Sequence, residues 1–210
     1  MINVMLADIK PLTTKAVLDE FAEHDIRIVR HCKTSEEVIT AVKDTPPDVV
    51  LMSLNLGGLG AFEAMDYLKM NFPRVGIVIH LVHSNGPFAK RLLQTGASGF
   101  VSRNTPSHDM VEALLSVKRG EKYISPEIAQ KIAVSLLPGG EVSPLDRLSE
   151  REMQVMIQLS QGDTALQISS RLALSPKTVS TYKHRVRDKL RVDDTQEIFA
   201  LAGLHGLVEK

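Results

Sequence analysis

The sequence predicts an α/β doubly wound, five-stranded parallel sheet followed by a C-terminal all-α domain of four helices. Three observations predict it. Short apolar runs alternate with amphipathic stretches through residues 1–120, the pattern of strands crossing to parallel neighbours through helices. Residues 138–147 are polar and rich in Pro and Gly, as a linker is. From Leu148 onward the apolar stretches have helical spacing, and the first three open on the capping residues Ser149, Thr164 and Ser175.

The elements follow in order. Residues 2–7 form an apolar strand ending at Asp8, and Pro11 opens a helix that runs through Phe21. Ile26 to Val29 is a second strand. Ser35 stands where an N-cap belongs, with Glu36 and Glu37 favourably placed in the first turn ahead of Val38, Ile39 and Val42. Asp48-Val49-Val50-Leu51-Met52 is almost wholly apolar, as a strand buried on both faces must be. The glycine-rich break at 57–60 precedes a helix carrying Phe62, Met65, Leu68 and Met70. Val75 to Ile79 is the fourth strand, Phe88 to Leu93 a helix stopped by Gly96, Gly99 to Val101 the fifth strand, and Met110 to Val117 the fifth helix. A crevice beyond the carboxyl ends of such strands is where function sits, which singles out Asp8, Ser53, Leu81 and Arg103.

Tyr123 begins a connector helix, with Ser125 as cap, Pro126 in the first turn and Ile128, Ile132 and Leu136 in an apolar stripe. The domain boundaries expected are 1–120, 121–147 and 148–210. In the last of these, Ser149 and Glu152 make a capping box, and Thr164 and Gln167 stand at the same spacing. Ser175-Pro176 opens the third helix. There Val179, Tyr182, Val186 and Leu190 share a stripe about 80° wide at helical spacing. Opposite lie Lys177, Ser180, Thr181, His184 and Asp188. Short polar side chains flanked by cations suit a helix in a major groove, where bases meet small side chains and phosphates meet cations at the rims. The last helix runs from Thr195 to Leu204.

Composition narrows the class. Net charge is zero, yet seven basic residues and a single acid, Asp188, fall between Arg171 and Arg191, a local footprint for phosphate. No run of 18 apolar residues occurs, so no membrane span is expected. The start of the chain reads as a strand and not a leader. With one cysteine, Cys32, no internal disulfide forms, and a cytoplasmic setting is expected. No nucleophile–base pair, phosphate-cradling loop or metal-spaced cluster is evident, so an enzyme is the least supported class. His80 and His83 lack a third ligand and read as ordinary histidines.

Residues 1–120 resemble the receiver domain of two-component response regulators, a flavodoxin-like fold. Pro47-Asp48-Val49-Val50-Leu51-Met52, Gly96-Ala97-Ser98-Gly99-Phe100 and Lys122-Tyr123-Ile124-Ser125-Pro126 carry the likeness. It points to the NarL/FixJ family and its GacA/UvrY type. The resemblance implies an acceptor aspartate ending the third strand, an acidic pair holding Mg²⁺, a Ser or Thr ending the fourth strand and a Lys ending the fifth. This sequence has Ser53, Asp8 followed by Ile9, Leu81 and Arg103 at those positions. Such a pocket is degenerate: Mg²⁺ should bind poorly with one carboxylate, and Ser53 has no evident activating base. Phe100 occupies the family's switch aromatic, locked by packing in one conformation. No cofactor is implied. A small ligand or a regulatory protein partner becomes the alternative input.

Residues 148–208 resemble the LuxR-type helix-turn-helix of the same family, through Leu148-Ser149-Glu150-Arg151-Glu152, Ile168-Ser169 and the string from Leu174 to Tyr182. The likeness implies base approach by Ser180, Thr181 and His184, and phosphate contact by Lys177, Thr178, Lys183 and Arg185. It also implies dimerisation through Ile198, Leu201 and Ala202, although packing beneath the third helix is an equal claim on those residues. Arg187 and Lys189 read as phosphate contacts or solvated cations. The expected protein is a homodimeric transcription regulator on double-stranded DNA with an inverted repeat, acting without aspartyl phosphate. The alternatives are a heterodimerising interaction protein in which DNA is secondary, and a receiver with an unusual acceptor.

Overall fold

The computed structural model describes residues 1–9, 15–81, 92–93, 95–102, 105–137, 143–205 and 207. The strands are β1 (Ile2–Ala7), β2 (Ile26–Cys32), β3 (Val49–Ser53), β4 (Gly76–Leu81), β5 (Gly99–Ser102) and β6 (Tyr123–Ile124). They form one parallel sheet in the order β2-β1-β3-β4-β5-β6. The doubly wound parallel fold is as expected, but the sheet has six strands and not five. Tyr123 and Ile124, read from sequence as the start of the connector helix, pair with Gly99 and Phe100. Two residues are too few to show a period, so only the partner strand reveals them.

Helices α1 (Lys15–Glu23), α2 (Ser35–Asp44), α3 (Ala61–Asn71) and α4 (Ser107–Lys118) cover the sheet. The helix expected from Phe88 to Leu93 lies largely outside the described residues. Met5, Val50, Met52, Ile77, Ile79 and Phe100 face one apolar layer with α2 and α3. Val4, Leu6, Leu51, Val78 and Val101 face the other, with α1 and α4. Met70 is not part of this core: it is 82% exposed, off the stripe of Phe62, Met65 and Leu68. The N-cap of α2 is Thr34, one residue before the expected Ser35, and its side chain accepts from Glu37 N–H. Ser35 is buried and its Oγ accepts from Leu59 N–H at 2.8 Å.

Helix α5 (Pro126–Ser135) follows, with Ser125 at its N-cap and Pro126 in its first turn. The described part of the linker is a 3-10 turn, Pro144–Arg147. Four helices complete the chain: α6 (Glu150–Ser160), α7 (Ala165–Arg171), α8 (Pro176–Leu190) and α9 (Thr195–Leu204). Both expected capping boxes are present, Ser149 with Glu152 and Thr164 with Gln167. Ser175 caps α8 through Thr178 N–H at 3.0 Å. Among the described residues, no helix is long and apolar enough to cross a membrane.

Two glycines set how closely α4 approaches the sheet. A Cβ at Gly76 would lie 2.2 Å from Val117 Cγ1, and one at Gly99 would lie 3.1 Å from Val117 Cγ2. Val117 therefore fills the space that two absent side chains leave on β4 and β5. Gly76→Ala should destabilise the chain by about 1–3 kcal/mol, the usual cost of overpacking. Gly76→Ala/Val117→Ala should recover part of that loss, read from urea midpoints of the two variants against the parent.

Candidate DNA interface and acceptor-position pocket

Ser53 ends β3 and is 4% exposed. The β1–β3 register pairs Ala7 with Met52, so Asp8, the first residue past the end of β1, falls beside Ser53. Asp8 is half-buried; Ile9 is 42% exposed. Leu81 closes β4, but its side chain and Arg103 lie outside the described residues, as does His83. Phe100 is fully buried on the α2/α3 side of the sheet. The donors described here are one carboxylate and one hydroxyl, with an apolar Ile9 next to them. That set does not fit Mg²⁺, which takes carboxylate and phosphate oxygens in octahedral array. No group of three or more His, Cys, Asp or Glu converges among the described residues.

One neighbour was missed from sequence. His80 is the register partner of Ser53 across β3–β4 and is 2% exposed, so a histidine occupies the strand position next to the serine for which no base was evident. Only the strand register brings the two together. Ser53 Oγ accepts a hydrogen bond from Asn55 N–H at 3.1 Å.

The loop after Ser53 is tied down on one side and used on the other. Gly57 bridges to Thr34, its N–H donates to Lys33 O, and its carbonyl accepts from Ser35 N–H. Across the loop lies α6. Gln161 Nε2 donates to Asn55 Oδ1 at 2.6 Å, and Gln158 Nε2 donates to Gly58 O at 3.3 Å. The helical domain thus docks on the receiver-like domain through α6, and residues 152–160 are buried without interruption. At the rim of this contact, partial burial and the charges of Glu150 and Glu63 push the Asp66 carboxyl above its ordinary value, against Lys69 and Arg151.

Docking through α6 leaves α8 facing outward. Val179 and Val186 are fully buried, Leu190 is nearly so, and Tyr182 is half-buried. Lys177, Ser180, Thr181, His184 and Arg185 are exposed, while Thr178 and Lys183 are half-buried. Ala173, at φ 51°, makes the left-handed turn between α7 and α8. Ser180 Oγ donates to Pro176 O and Thr181 Oγ1 to Lys177 O, both at 3.0 Å. A hydroxyl that has given its proton to its own helix keeps lone pairs for a base amino group.

The structure also sorts the seven cations. Arg171 pairs with Asp163, Arg187 donates to Asp193 O, and Lys189 pairs with Glu152 at 2.7 Å. Arg191 is the left-handed C-cap of α8. Lys189 is therefore a strut between α8 and α6. Lys177, Lys183 and Arg185 form no ion pair among the described residues; Arg185 lies 6.0 Å over the Tyr182 ring. Of the expected dimer residues, Ile198 and Ala202 are fully buried in their own domain and Leu201 is half-buried. Ile198 and Ala202 thus serve the packing role, because α9 turns them toward α6.

The response regulator receiver domain model matches residues 4–115, and the model of bacterial regulatory proteins of the luxR family matches residues 146–202. The chain belongs to the response regulators of LuxR type. It is 35% identical to the response regulator GacA of Pseudomonas aeruginosa, over 100% of this chain and 99% of that one. It is 34% identical to the response regulator UvrY of Escherichia coli K12, over 99% of this chain and 96% of that one. Among solved structures, RcsB of Salmonella enterica serovar Typhimurium bound to promoter rprA with the phosphomimetic BeF3- matches at TM-score 0.74 and 21% identity, over 95% of this chain and 97% of that one. Another RcsB structure, from Salmonella typhimurium, matches at TM-score 0.77 and 20% identity, over 97% and 98%. At such identities the structural likeness speaks to fold alone.

Burial acts against the Glu152 carboxylate, but Lys189 and the Ser149 N–H and hydroxyl outweigh it and hold its pKa below the ordinary value. A depressed carboxylate stabilises the fold above its unfolded pKa and loses that contribution as pH falls through its folded value. Lys189→Met should therefore cost about 1–3 kcal/mol at neutral pH, the scale of a charged hydrogen bond lost to a buried group. The difference from wild type should shrink on acidification, read from denaturant midpoints at several pH values.

Proposed function

We propose that this response regulator is a sequence-specific DNA-binding transcription regulator that acts as a homodimer without aspartyl phosphorylation. The observation that carries the DNA reading is the outward face of α8. It offers Ser180, Thr181 and His184 to base edges, with Lys177, Thr178, Lys183 and Arg185 at the rims for phosphate. In this reading the chain divides into a degenerate receiver at 1–120, a connector at 121–147 and the DNA-binding domain at 148–210. Two relatives in fold support the partner: one RcsB structure holds promoter DNA, and another holds two dimers on two parallel DNAs. A dimer presents two recognition helices roughly 34 Å apart and selects an inverted repeat. Leu201, with Phe199 and Leu204 exposed beside it on α9, supplies the contact between chains.

Fluorescence anisotropy on promoter DNA tests this reading. Binding by the full chain should weaken steeply with salt. Lys177→Ala and Lys183→Ala should each lower affinity for all sequences alike and reduce the salt slope by about 1. Ser180→Ala, Thr181→Ala and His184→Ala should instead erode the preference for the cognate site, by about 1–3 kcal/mol at a well-made contact. Salt-independent binding, or none, would remove the proposal in favour of an interaction protein.

The reading of the receiver rests on Ser53 at the acceptor position and Ile9 in place of a second carboxylate. A second reading has one observation in its favour, the imidazole of His80 in register with Ser53. Incubation with acetyl phosphate and Mg²⁺ separates the two. The intact mass should not change; an added phosphoryl group that disappears in Ser53→Ala would establish the serine as an acceptor.

A further inference from the structure

Ser53 stands where the family's acceptor belongs, yet its oxygen is already engaged. Asn55 N–H donates to Ser53 Oγ at 3.1 Å, closing a short side-chain turn. Such a turn fixes the backbone two residues on. The residue fixed is Asn55, and its Oδ1 accepts from Gln161 Nε2, the shorter of the two hydrogen bonds that α6 and its C-cap make to this loop. The rest of the loop is held as firmly from the receiver side. Gly57 bridges Thr34, and Leu59 N–H donates to the buried Ser35 Oγ at 2.8 Å. The loop is thus a rigid bracket with Ser53 at its root. Its outer edge presents Asn55 Oδ1 and Gly58 O to two glutamines of the DNA-binding domain.

We propose that Ser53 is a positioning residue that holds the β3–α3 loop in the shape that docks α6, and so fixes the DNA-binding domain on the receiver with α8 outward. The inference rests on the reading that Ser53 carries no phosphoryl group. It gives the hydroxyl at the acceptor position a role of its own, as the acceptor that closes the turn to Asn55. Beside these contacts, Asp66 on α3 meets charges of both signs from α6, Glu150 and Arg151. The two glutamine contacts are the side-chain hydrogen bonds described between this loop and the helical domain. The hydroxyl matters through its acceptor lone pair, so threonine should replace serine and alanine should not.

The test is an interdomain distance in the full chain without DNA. Spin labels at Met70→Cys and Leu166→Cys, 82% and 71% exposed in the parent residues, sit one on each domain, while the buried Cys32 does not compete for label. Labelled chain is diluted with unlabelled chain so that only distances within one chain are read. The parent should give one narrow distance peak. Ser53→Ala and Gln161→Ala should each lose it to a broad distribution, the double variant should be no broader than either single, and Ser53→Thr should keep the peak. A narrow peak in Ser53→Ala, a broad one in Ser53→Thr, or a broad one in the parent overturns the proposal. Circular dichroism melts of each variant show that the receiver is folded, and a narrow peak in Gln161→Ala, which leaves the strand untouched, would overturn the docking role of the loop. The distance is independent of DNA, so a parent that docks but fails to bind promoter DNA would defeat the proposed function and leave this inference standing.

Discussion

Helix α6 has no solvent face from Glu152 to Ser160, and covering it from two sides is the constraint on which the arrangement of this protein depends. One side is packed by α8 and α9 of its own domain. The other meets the loop after β3. Burial of this kind is costly for polar groups unless they are hydrogen-bonded, and the sequence of α6 answers that demand. Ser160 donates to Met156 O, Gln154 accepts from Arg151, and Gln158 Nε2 reaches Gly58 O, while the buried Gln158 Oε1 is left without a partner among the described residues. Glu152 is held at once by the cap at Ser149 and by Lys189. A helix so occupied cannot also be a DNA-contacting surface, and its docking turns α8 to solvent.

That orientation gives the cations of α8 two different tasks. Lys189 and Arg187 are tethered within the domain and shape it. Lys177 and Arg185 stay in solvent at the rim. A basic stripe is therefore not a uniform phosphate-binding strip. Part of it is internal bracing that happens to be cationic because its partners, Glu152 and the Asp193 carbonyl, are acceptors. The same economy applies to Ser180 and Thr181, whose protons serve the helix and whose lone pairs remain outward.

Much of this was legible along the chain. The strands buried on both faces announced themselves as unbroken apolar runs, and the capping boxes of α6 and α7 followed from spacing alone, because both are local relations within one turn. What was not legible depended on residues far apart. The sixth strand exists only because Ser98 and Phe100 carbonyls accept from Tyr123 and Ser125. Thr34 caps α2 because Ser35 is drawn into the core to hold Leu59. For Ile198 and Ala202 the family resemblance implied an interface and packing was an equal claim; the structure makes both interior. His80 became Ser53's neighbour only through register between β3 and β4.

The sequence by itself determined the two domain types and the polarity of the third helix of the C-terminal domain. These are properties of residue identity and of short-range periodicity, which no later packing alters. The tertiary structure decided which cations of α8 are tied within the fold, which apolar residues of α9 stay exposed, and that the receiver grips α6 and leaves α8 open. Those outcomes turn on which of several chemically suitable surfaces meet. Hydrogen bonds such as Gln161 to Asn55, 106 residues apart, have no local signature, since either side chain would be equally content with water until the fold brings them together.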